Sequence, residues 1–240
     1  MKLTIDQAIR ITKSAFSSVL NPGKTKDPLP KKESDKYPEI YVFRHGESND
    51  NKMRVFSGWR DSKLTTRGIA QAKLLAPKLK SKQIDVCIVS HLSRSQQTAK
   101  VALKGKKVSF EVDDRIIERD YGKLTGKSKE KMMKDDFVDA VKYRRFFDFP
   151  PPGGESLKDV QTRVFPFCKD LVERVRNTGE NIAISCHGNS MKVIRLYFEK
   201  LEIVDVLVQE NPLGEDYAEY VVTPKDILVS KRPRKVKTKK

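Results

Sequence analysis

Two of the three histidines in this chain, His45 and His187, lie at the ends of short apolar runs of the kind that form buried strands. Arg44 precedes the first of them, and a third apolar run, residues 86–89, leads through a short polar segment to Arg94. Ligands of open α/β sheets bind outside the carboxyl ends of the strands. The three segments are therefore expected to bring two imidazoles and two guanidinium groups to one crevice, which favours phosphoryl transfer through a histidine.

His45 is the candidate nucleophile of this reaction. A neutral imidazole accepts a phosphoryl group with one ring nitrogen while a hydrogen bond holds the other, and the carbonyl group of Gly46 is close enough in sequence to serve. His187 is expected to donate a proton to the oxygens of the transferring phosphoryl group. Arg44 and Arg94 supply planar guanidinium groups that bind phosphate through two contacts.

Further motifs lie around these residues in a fixed order. They are Arg44-His45-Gly46, Phe56-Ser57-Gly58-Trp59, Leu64-Thr65-Thr66-Arg67-Gly68, Glu118-Arg119-Asp120-Tyr121-Gly122, Arg144-Arg145, Glu155-Ser156-Leu157 and His187-Gly188. The order resembles the histidine phosphatase superfamily, and within it the cofactor-dependent phosphoglycerate mutase branch, over roughly residues 40–222.

This resemblance implies a mechanism and a set of site residues. Glu118 occupies the acid/base position, and burial in a cleft is expected to raise its pKa toward neutrality. Residues that match contacts to the substrate's carboxylate and distal phosphate are Tyr121, Lys129, Arg144 and Arg145. Residues that match polar contacts to the phosphoglycerate are Asn51, Ser57, Gly58, Gly188 and Asn189. The resemblance also implies 2,3-bisphosphoglycerate as a phosphorylating primer, no metal ion, and a role in glycolysis and gluconeogenesis.

Three departures keep a second enzymatic interpretation open. Glu47 stands where mutases more often carry glutamine, and Asp120 replaces a histidine. Pro152 is followed almost at once by Glu155, whereas longer mutases carry an insert there that helps to cover the site. The leading hypothesis is a mutase that interconverts 3-phosphoglycerate and 2-phosphoglycerate. The alternative is a histidine-type phosphatase acting on a sugar phosphate or another small phosphomonoester, and a bisphosphoglycerate synthase or a binding scaffold comes after both.

Composition narrows the class of protein further. With 38% hydrophobic and 34% charged residues and no apolar run near the ~20 residues of a membrane span, the 240-residue chain is expected to be soluble and cytoplasmic, without a secretory signal. The net charge of +17 suits anionic small-molecule substrates. Its densest patch, residues 231–240, contains no aromatic residues, which disfavours nucleic-acid binding. Cys87, Cys168 and Cys186 are expected to be reduced core thiols, and His91 an exposed bystander. A homo-oligomer is left open.

Alternation of strand and helix patterns predicts an α/β three-layer sandwich with a mainly parallel central sheet and helices on both faces. We expect an N-terminal helical extension and linker (1–38), a catalytic domain (39–223) and a basic C-terminal tail (224–240). In the extension, Thr4 to Leu20 is expected to form a helix that docks on the domain or on a second subunit. Its predicted apolar face comprises Ile5, Ala8, Ile9, Thr12, Ala15, Phe16 and Val19. Asn21-Pro22-Gly23 is expected to end that helix.

The remaining elements are expected as follows. Strands are predicted at 40–43, 85–89, 109–112, 181–186 and, at the edge of the sheet, Tyr217–Val222. Helices are predicted at 66–82, 93–103, 128–147, from Ser156 to Gly179, and from Ser190. In the long helix, Ser156 and Asp159 are expected to form a capping box, Pro166 a kink and Gly179 the C-terminal stop.

Overall fold

The computed structural model describes residues 4–20 and 28–230. Its strands are β1 (Glu39–Arg44), β2 (Val86–Val89), β3 (Ser109–Val112), β4 (Ile182–Cys186), β5 (Tyr217–Val222) and β6 (Ile227–Leu228). Its α-helices are α1 (Ile5–Leu20), α2 (Asn49–Lys52), α3 (Thr66–Leu79), α4 (Ser93–Ala102), α5 (Lys129–Asp135), α6 (Phe137–Arg145), α7 (Leu157–Thr178), α8 (Gly188–Glu199) and α9 (Ile203–Val208). Two 3₁₀ turns lie at Asp114–Ile116 and Gly122–Leu124.

The strands form one sheet of order β3-β2-β4-β1-β5-β6. The first four of these strands are parallel, whereas β5 runs antiparallel to β1 and β6 antiparallel to β5. Because β1 and β4 are parallel neighbours, with Arg44 beside Cys186, both strands end at the same edge of the sheet. The prediction of a mainly parallel α/β sheet is confirmed.

Two apolar layers cover the two faces of this sheet. Along β1, Ile40 and Val42 belong to one layer, and Tyr41 and Phe43 belong to the other, as the period of two in a strand requires. The first layer includes the buried faces of α7 and α8, and the second includes those of α3 and α4. The three free cysteines are all buried, as expected.

The long helix α7 follows its sequence signals closely. The Ser156 side chain accepts from the backbone of Asp159, and the Asp159 side chain accepts in return from the backbone of Ser156, which confirms the capping box. Gly179 ends the helix with a left-handed φ of 73°. The helix continues without interruption through Pro166.

The N-terminal helix forms as predicted, and it docks on the domain by packing against α6 and α9. The prediction of its buried face is wrong in part. Ile5, Ile9 and Phe16 are exposed, whereas Ile11 and Ser18 are buried together with Ala15 and Val19. The face that docks carries a buried serine, Ser18, as well as apolar groups, so a purely apolar criterion identified only Ala15 and Val19 of it correctly. The predicted stop at 21–23 lies outside the described residues.

Three further predictions are corrected by the structure. Residues 128–147 form two helices, because Asp136 leaves the helical conformation at φ −146° and caps α6 with its side chain. Helix α8 begins at Gly188, before Ser190. Strand β5 lies inside the sheet, because residues 227–228 pair with it as β6.

Candidate active site

The carboxyl ends of β1 and β4 bring the two predicted histidines together. His45 and His187 are both buried, and their ring centroids lie 5.1 Å apart. The backbone N–H of His45 donates to the carbonyl of Cys186 at 3.0 Å, so the sheet pairing extends to the histidine itself. The two rings are therefore positioned by the strands that carry them.

The hydrogen bonding of His45 defines its reactive nitrogen. Nδ1 lies 2.7 Å from the carbonyl oxygen of Gly46, which can only accept, so Nδ1 carries the proton and Nε2 has a free lone pair. Burial, together with the charges on Arg94 and Arg44 and the neighbouring His187, holds the pKa of His45 well below its usual value of 6.5. His45 is thus neutral near pH 7 and suited to accept a phosphoryl group on Nε2.

The second imidazole is hydrogen-bonded through its other ring nitrogen. His187 Nε2 lies 2.8 Å from Ser90 Oγ, whereas its buried Nδ1 has no hydrogen-bond partner among the described residues. Burial, followed by the charges of Arg94 and Arg44, also lowers the pKa of His187 well below its usual range. If the Ser90 hydroxyl donates to Nε2, the proton of neutral His187 is on Nδ1, where it is available to an oxygen of a bound phosphate.

Two glycines allow the backbone behind His45 to pack closely. A Cβ at Gly46 would lie 2.4 Å from the carbonyl oxygen of Gly68, and a Cβ at Gly68 would lie 2.1 Å from that of Glu47. Side chains are therefore excluded at both positions, and the first turn of α3 lies directly against the segment that carries His45. The Gly46 N–H also donates to Thr98 Oγ1 at 3.0 Å, which ties this segment to α4.

Arg44 and Arg94 both lie near the histidine pair. Arg94 is buried and donates to the carbonyls of Gly58 and Arg60, each at 2.9 Å, so it is not a solvated helix arginine. Arg44 donates to the carbonyl of Asn211 at 3.1 Å. The buried Nε atoms of both arginines have no acceptor within the described part of the chain, and such buried donors are rare unless an anion or water satisfies them. These donors are suited to phosphate oxygens.

Glu118 lies at the N-terminus of α8 with its carboxylate fully hydrogen-bonded. It accepts from the backbone N–H groups of Arg119, Gly188 and Asn189 at 2.8, 3.0 and 3.0 Å, and from Asn189 Nδ2 at 2.9 Å. Burial alone would raise its pKa, but these donors and the charges of Arg44 and Arg94 outweigh burial and lower the pKa to about 2. The prediction of a raised pKa is therefore wrong for the ligand-free site.

A pocket opens beside the histidine pair, with an empty volume of about 680 Å³ when the space open to solvent is counted. It is lined by ten of the residues that the sequence predicted, namely Arg44, Asn51, Ser57, Glu118, Tyr121, Lys129, Arg144, Arg145, Gly188 and Asn189. The predicted residues outside the lining are His45, Gly58, Arg94 and His187. These four residues form a cluster next to the pocket, in which Arg94 donates a hydrogen bond to the carbonyl oxygen of Gly58.

The part of the pocket lined by Lys129, Arg144 and Arg145, here called its far end, is strongly basic. Burial and the charges of Arg144 and Arg44 outweigh the pull of Glu118 and Glu210 and lower the pKa of Lys129 to about 7. Burial and the adjacent Arg145 likewise lower the pKa of Arg144 to about 10. Clustered cations that lose affinity for their protons in this way form a site for an anionic group.

Four lining residues were missed by the sequence reasoning: Ser18, Lys192, Glu210 and Asn211. Lys192 is the only one with a visible signal, since it interrupts an otherwise apolar stretch of α8. It is buried, and burial followed by the charge of Arg145 lowers its pKa well below the usual range. Glu210 forms an ion pair with Arg145. Ser18 comes from the N-terminal helix and carries no motif.

The sequence departures lie at the periphery of this pocket. Glu47 accepts from Thr65 Oγ1 at 2.8 Å and pairs with Arg67 at 3.5 Å, so its carboxylate is held by the start of α3. Asp120 Oδ1 accepts from the N–H of Gly122 at 2.9 Å and shapes the turn. The short loop after Pro152 packs on that turn, where the Lys123 N–H donates to the Pro152 carbonyl at 3.0 Å. None of these residues belongs to the lining of the pocket.

Other candidate groups lie apart from the pocket or are inert. His91 is exposed, as expected, and lies 2.8 Å from Asp114. Burial raises the pKa of the Cys186 thiol, which favours an unreactive core residue. Within residues 4–20 and 28–230, no three His, Cys, Asp or Glu side chains are grouped in a way that could hold a metal ion. No helix in the same ranges is both long and apolar enough to cross a membrane.

The sequence of the chain is similar to those of known proteins. A sequence model of the histidine phosphatase superfamily (branch 1) matches residues 40–211. A 2,3-bisphosphoglycerate-dependent phosphoglycerate mutase from Methylobacterium sp. (strain 4-46) is 39% identical over 169 residues, covering 68% of this chain and 81% of that protein.

Solved structures share the fold at lower sequence identity. YhfR from Bacillus stearothermophilus superposes with a TM-score of 0.73 at 25% identity, covering 80% of this chain and 95% of that one. A mycobacterial glucosyl-3-phosphoglycerate phosphatase in complex with VO3 has a TM-score of 0.71 at 20% identity, covering 80% of this chain and 97% of that one. The second likeness, at that identity, shows a common fold only.

Proposed function

Because the chain belongs to the histidine phosphatase superfamily, we propose that it is a 2,3-bisphosphoglycerate-dependent phosphoglycerate mutase, interconverting 3-phosphoglycerate and 2-phosphoglycerate through phosphorylated His45. The identity to mutase-named relatives supports this choice within the superfamily. The reaction would place the chain in glycolysis and gluconeogenesis.

The observation that carries the proposal is the second cationic end of the pocket. Hydrolysis of a phosphate ester needs only the groups that hold and attack one phosphate. Here Lys129, Arg144 and Arg145 line the same pocket as Arg44, whereas neither His45 nor His187 belongs to its lining. A substrate with a phosphate at one end and a carboxylate or second phosphate at the other matches this distribution of charge.

In the proposed mechanism, His45 Nε2 attacks the phosphorus of the primer, and the bond from phosphorus to the departing oxygen breaks. Glu118 and the hydroxyl exchange one proton: the carboxyl protonates the leaving alkoxide, and the carboxylate later removes the proton of the attacking hydroxyl. The phosphohistidine then transfers its phosphoryl group to the free 2-hydroxyl of 3-phosphoglycerate, which regenerates neutral His45 and gives the bisphosphate. When His45 next removes the 3-phosphoryl group of that bisphosphate, 2-phosphoglycerate is released and the phosphohistidine is restored. Arg44, Arg94 and His187 Nδ1 stabilise the charge on the equatorial oxygens.

This mechanism requires the pKa of Glu118 to change during the cycle. With a pKa of about 2 in the ligand-free site, Glu118 is ionised near neutral pH, so it has no proton to donate and is only a weak base. A bound phosphate adds negative charge close to Glu118 and neutralises the fields of Arg44 and Arg94, and both effects raise the pKa. Protonation of Glu118 is thereby coupled to the presence of a phosphate.

The residues present fit the primer, 2,3-bisphosphoglycerate. One phosphate would lie at His45, with Arg44 Nε, Arg94 Nε and His187 Nδ1 as donors that have no acceptor among the described residues. The second phosphate and the carboxylate would lie toward Lys129, Arg144 and Arg145. When bound, the primer supplies the phosphoryl group that activates His45.

One structural observation favours the phosphatase alternative. Among the described residues, none between 146 and 187 lines the pocket, so the short Pro-rich loop does not cover it. An uncovered pocket admits water, which competes with the hydroxyl of the glycerate for the phosphohistidine.

The deciding experiment is an assay of the purified protein with 3-phosphoglycerate, with and without added 2,3-bisphosphoglycerate, in which 2-phosphoglycerate and free phosphate are both measured. The proposal expects primer-stimulated formation of 2-phosphoglycerate as the main reaction. Free phosphate as the dominant product, whether or not primer is added, would replace the mutase assignment with the phosphatase one.

A further inference from the structure

The N-terminal helix α1 precedes the region that the superfamily model matches, residues 40–211, yet it reaches the pocket. Ser18, in the last turn of α1, is buried and lines the pocket wall. Nothing in the proposed reaction chemistry requires this segment.

The last two turns of α1 hold the two arginines at the far end of the pocket. Arg144 donates to the carbonyl of Ala15 at 2.9 Å and to Ser18 Oγ at 2.6 Å. Arg145 donates to the carbonyl of Ser14 at 3.1 Å. Both guanidinium groups of α6 are therefore oriented by acceptors from a helix more than a hundred positions earlier in the chain.

This contact has a clear electrostatic role. Arg144 and Arg145 are adjacent like charges, and burial together with the charge of Arg145 lowers the pKa of Arg144. The C-terminal end of a helix carries partial negative charge, so the end of α1 stabilises cations placed against it. In the absence of α1, the arginines would lose acceptors and the far end of the pocket would lose a wall.

Helix α1 is anchored well enough to act as a wall. Arg10 pairs with Asp205 of α9 at 2.8 Å, and Ser14 Oγ donates to the Val208 carbonyl at 3.0 Å. The ring of Phe16 stacks on Phe137 of α6 with centroids 5.1 Å apart. Ile11 and Ala15 belong to the first apolar layer, the one that contains the buried faces of α7 and α8. The contacts reach both neighbouring helices.

We propose that α1 is a specificity element of the pocket, in which Ser18 is a positioning residue. It fixes the Arg144 guanidinium for the charged far end of a phosphorylated acid. The identity of the ligand, a carboxylate-bearing phosphate ester such as phosphoglycerate, rests on the proposed function. The role of α1 in binding is independent of whether the bound acid is isomerised or hydrolysed.

The test compares binding of two probes by isothermal titration calorimetry on the full chain. 3-Phosphoglycerate engages both ends of the pocket, whereas inorganic phosphate engages the histidine end alone. The variants are Ser18→Ala, which removes the hydroxyl, and Ser18→Thr, which keeps it. Ser17→Ala is the matched control, because Ser17 is a serine of the same helical turn with an exposed side chain.

Ser18→Ala is expected to weaken binding of 3-phosphoglycerate about threefold to tenfold, because Arg144 loses one of its two acceptors on α1 but keeps the Ala15 carbonyl and its own contact with the ligand. Binding of inorganic phosphate should be unchanged, Ser18→Thr should restore binding of 3-phosphoglycerate, and Ser17→Ala should match wild type for both probes. A general loss of structure would weaken both probes together and would overturn the positioning role. Equal binding of 3-phosphoglycerate by Ser18→Ala and wild type would also overturn it.

These titrations, together with the activity assay with 3-phosphoglycerate, separate this inference from the proposed function. A wild-type protein that binds 3-phosphoglycerate through Ser18 and Arg144, but releases only free phosphate from it, would refute the mutase proposal and keep the inference. A wild type that binds 3-phosphoglycerate no better than inorganic phosphate would refute the inference directly.

Discussion

Lys129 should make the binding of phosphoglycerate depend on pH. It lines the pocket near Arg144 and Arg44, and its pKa is lowered from 10.5 to about 7. Below that pKa the ammonium group is present and attracts the anion, whereas above it the free site holds a neutral amine. An anion bound beside Lys129 favours the charged form and raises the pKa again, so binding above about pH 7 takes up one proton.

The magnitude follows from this linkage. When one proton is taken up on binding, the dissociation constant rises about tenfold for each pH unit, until the pH reaches the pKa of the bound state. If the bound anion restores the pKa to its usual 10.5, the dissociation constant of 3-phosphoglycerate should rise about fiftyfold between about pH 7, where half of Lys129 is already neutral, and about pH 9. The phosphate ester, with a second pKa of about 6, keeps a constant charge over this interval.

The assay is calorimetric titration of 3-phosphoglycerate at several pH values, with proton uptake measured in buffers of different ionisation enthalpy. Lys129→Met should bind weakly at every pH and show no such slope, and Lys127→Met, with an exposed side chain two positions away, should follow wild type. A dissociation constant that is flat above neutral pH in wild type would refute this reasoning. So would a slope that persists in Lys129→Met, which would point to Lys192 instead.

The remaining predictions concern the reacting groups, the far end of the pocket and metal. His45→Ala should abolish both turnover and acid-labile labelling by phosphorylated primer, whereas His187→Ala should lose turnover but still bind inorganic phosphate in a titration, and the reverse pattern would exchange their roles. Arg144→Ala and Arg145→Ala should lower isomerisation by roughly tenfold to a hundredfold but spare hydrolysis of p-nitrophenyl phosphate, so a parallel fall of both activities would contradict an assignment to the far end of the substrate. Glu118→Gln should lower the free energy of unfolding near neutral pH by about 3 kcal/mol, because the carboxylate's pKa is held at about 2 instead of 4.5. This depressed pKa stabilises the fold above pH 4.5, and the contribution is lost as the pH falls toward 2. The difference in unfolding free energy between wild type and Glu118→Gln, measured by urea unfolding, should therefore become smaller in acid. A difference that does not change with pH would refute its electrostatic origin. Turnover should be unchanged by EDTA, and loss of activity that Mn²⁺ or Mg²⁺ restores would overturn the metal-free mechanism.

Much of the fold was accessible from the sequence because its strands and helices carry strong local signals. The alternation along β1 and the capping box of α7 are examples, and both appear in the structure as expected. Strand β6 was missed because two residues cannot show a period. The break at Asp136 was missed because the residues on both sides favour a helix.

The convergence of the predicted site residues could be anticipated, whereas their electrostatics could not. Parallel strands end at one edge, and this rule is sufficient to bring His45 and His187 together. The pKa of Glu118 depends on four donors, three from Gly188 and Asn189 at the start of α8 and one from the backbone of Arg119, and that geometry is not present in the residue types. Ser18 was missed for a related reason. Its partner, Arg144, lies far along the chain, and a buried serine leaves no trace in an apolar pattern.

The close contact between Gly46 and Gly68 has a consequence for how this chain tolerates substitution. Most of α3 is free to vary, since residues such as Lys73 and Leu74 face solvent. At Gly68, however, one added methyl group would press on the Glu47 carbonyl and displace the segment that carries the phosphoryl acceptor. Such a variant would retain its folded core and its binding groups, yet it would behave in a functional screen like a loss of His45. A position in this helix that does not tolerate substitution would thus reflect the placement of a catalytic side chain more than twenty positions earlier in the sequence, not the stability of the helix itself.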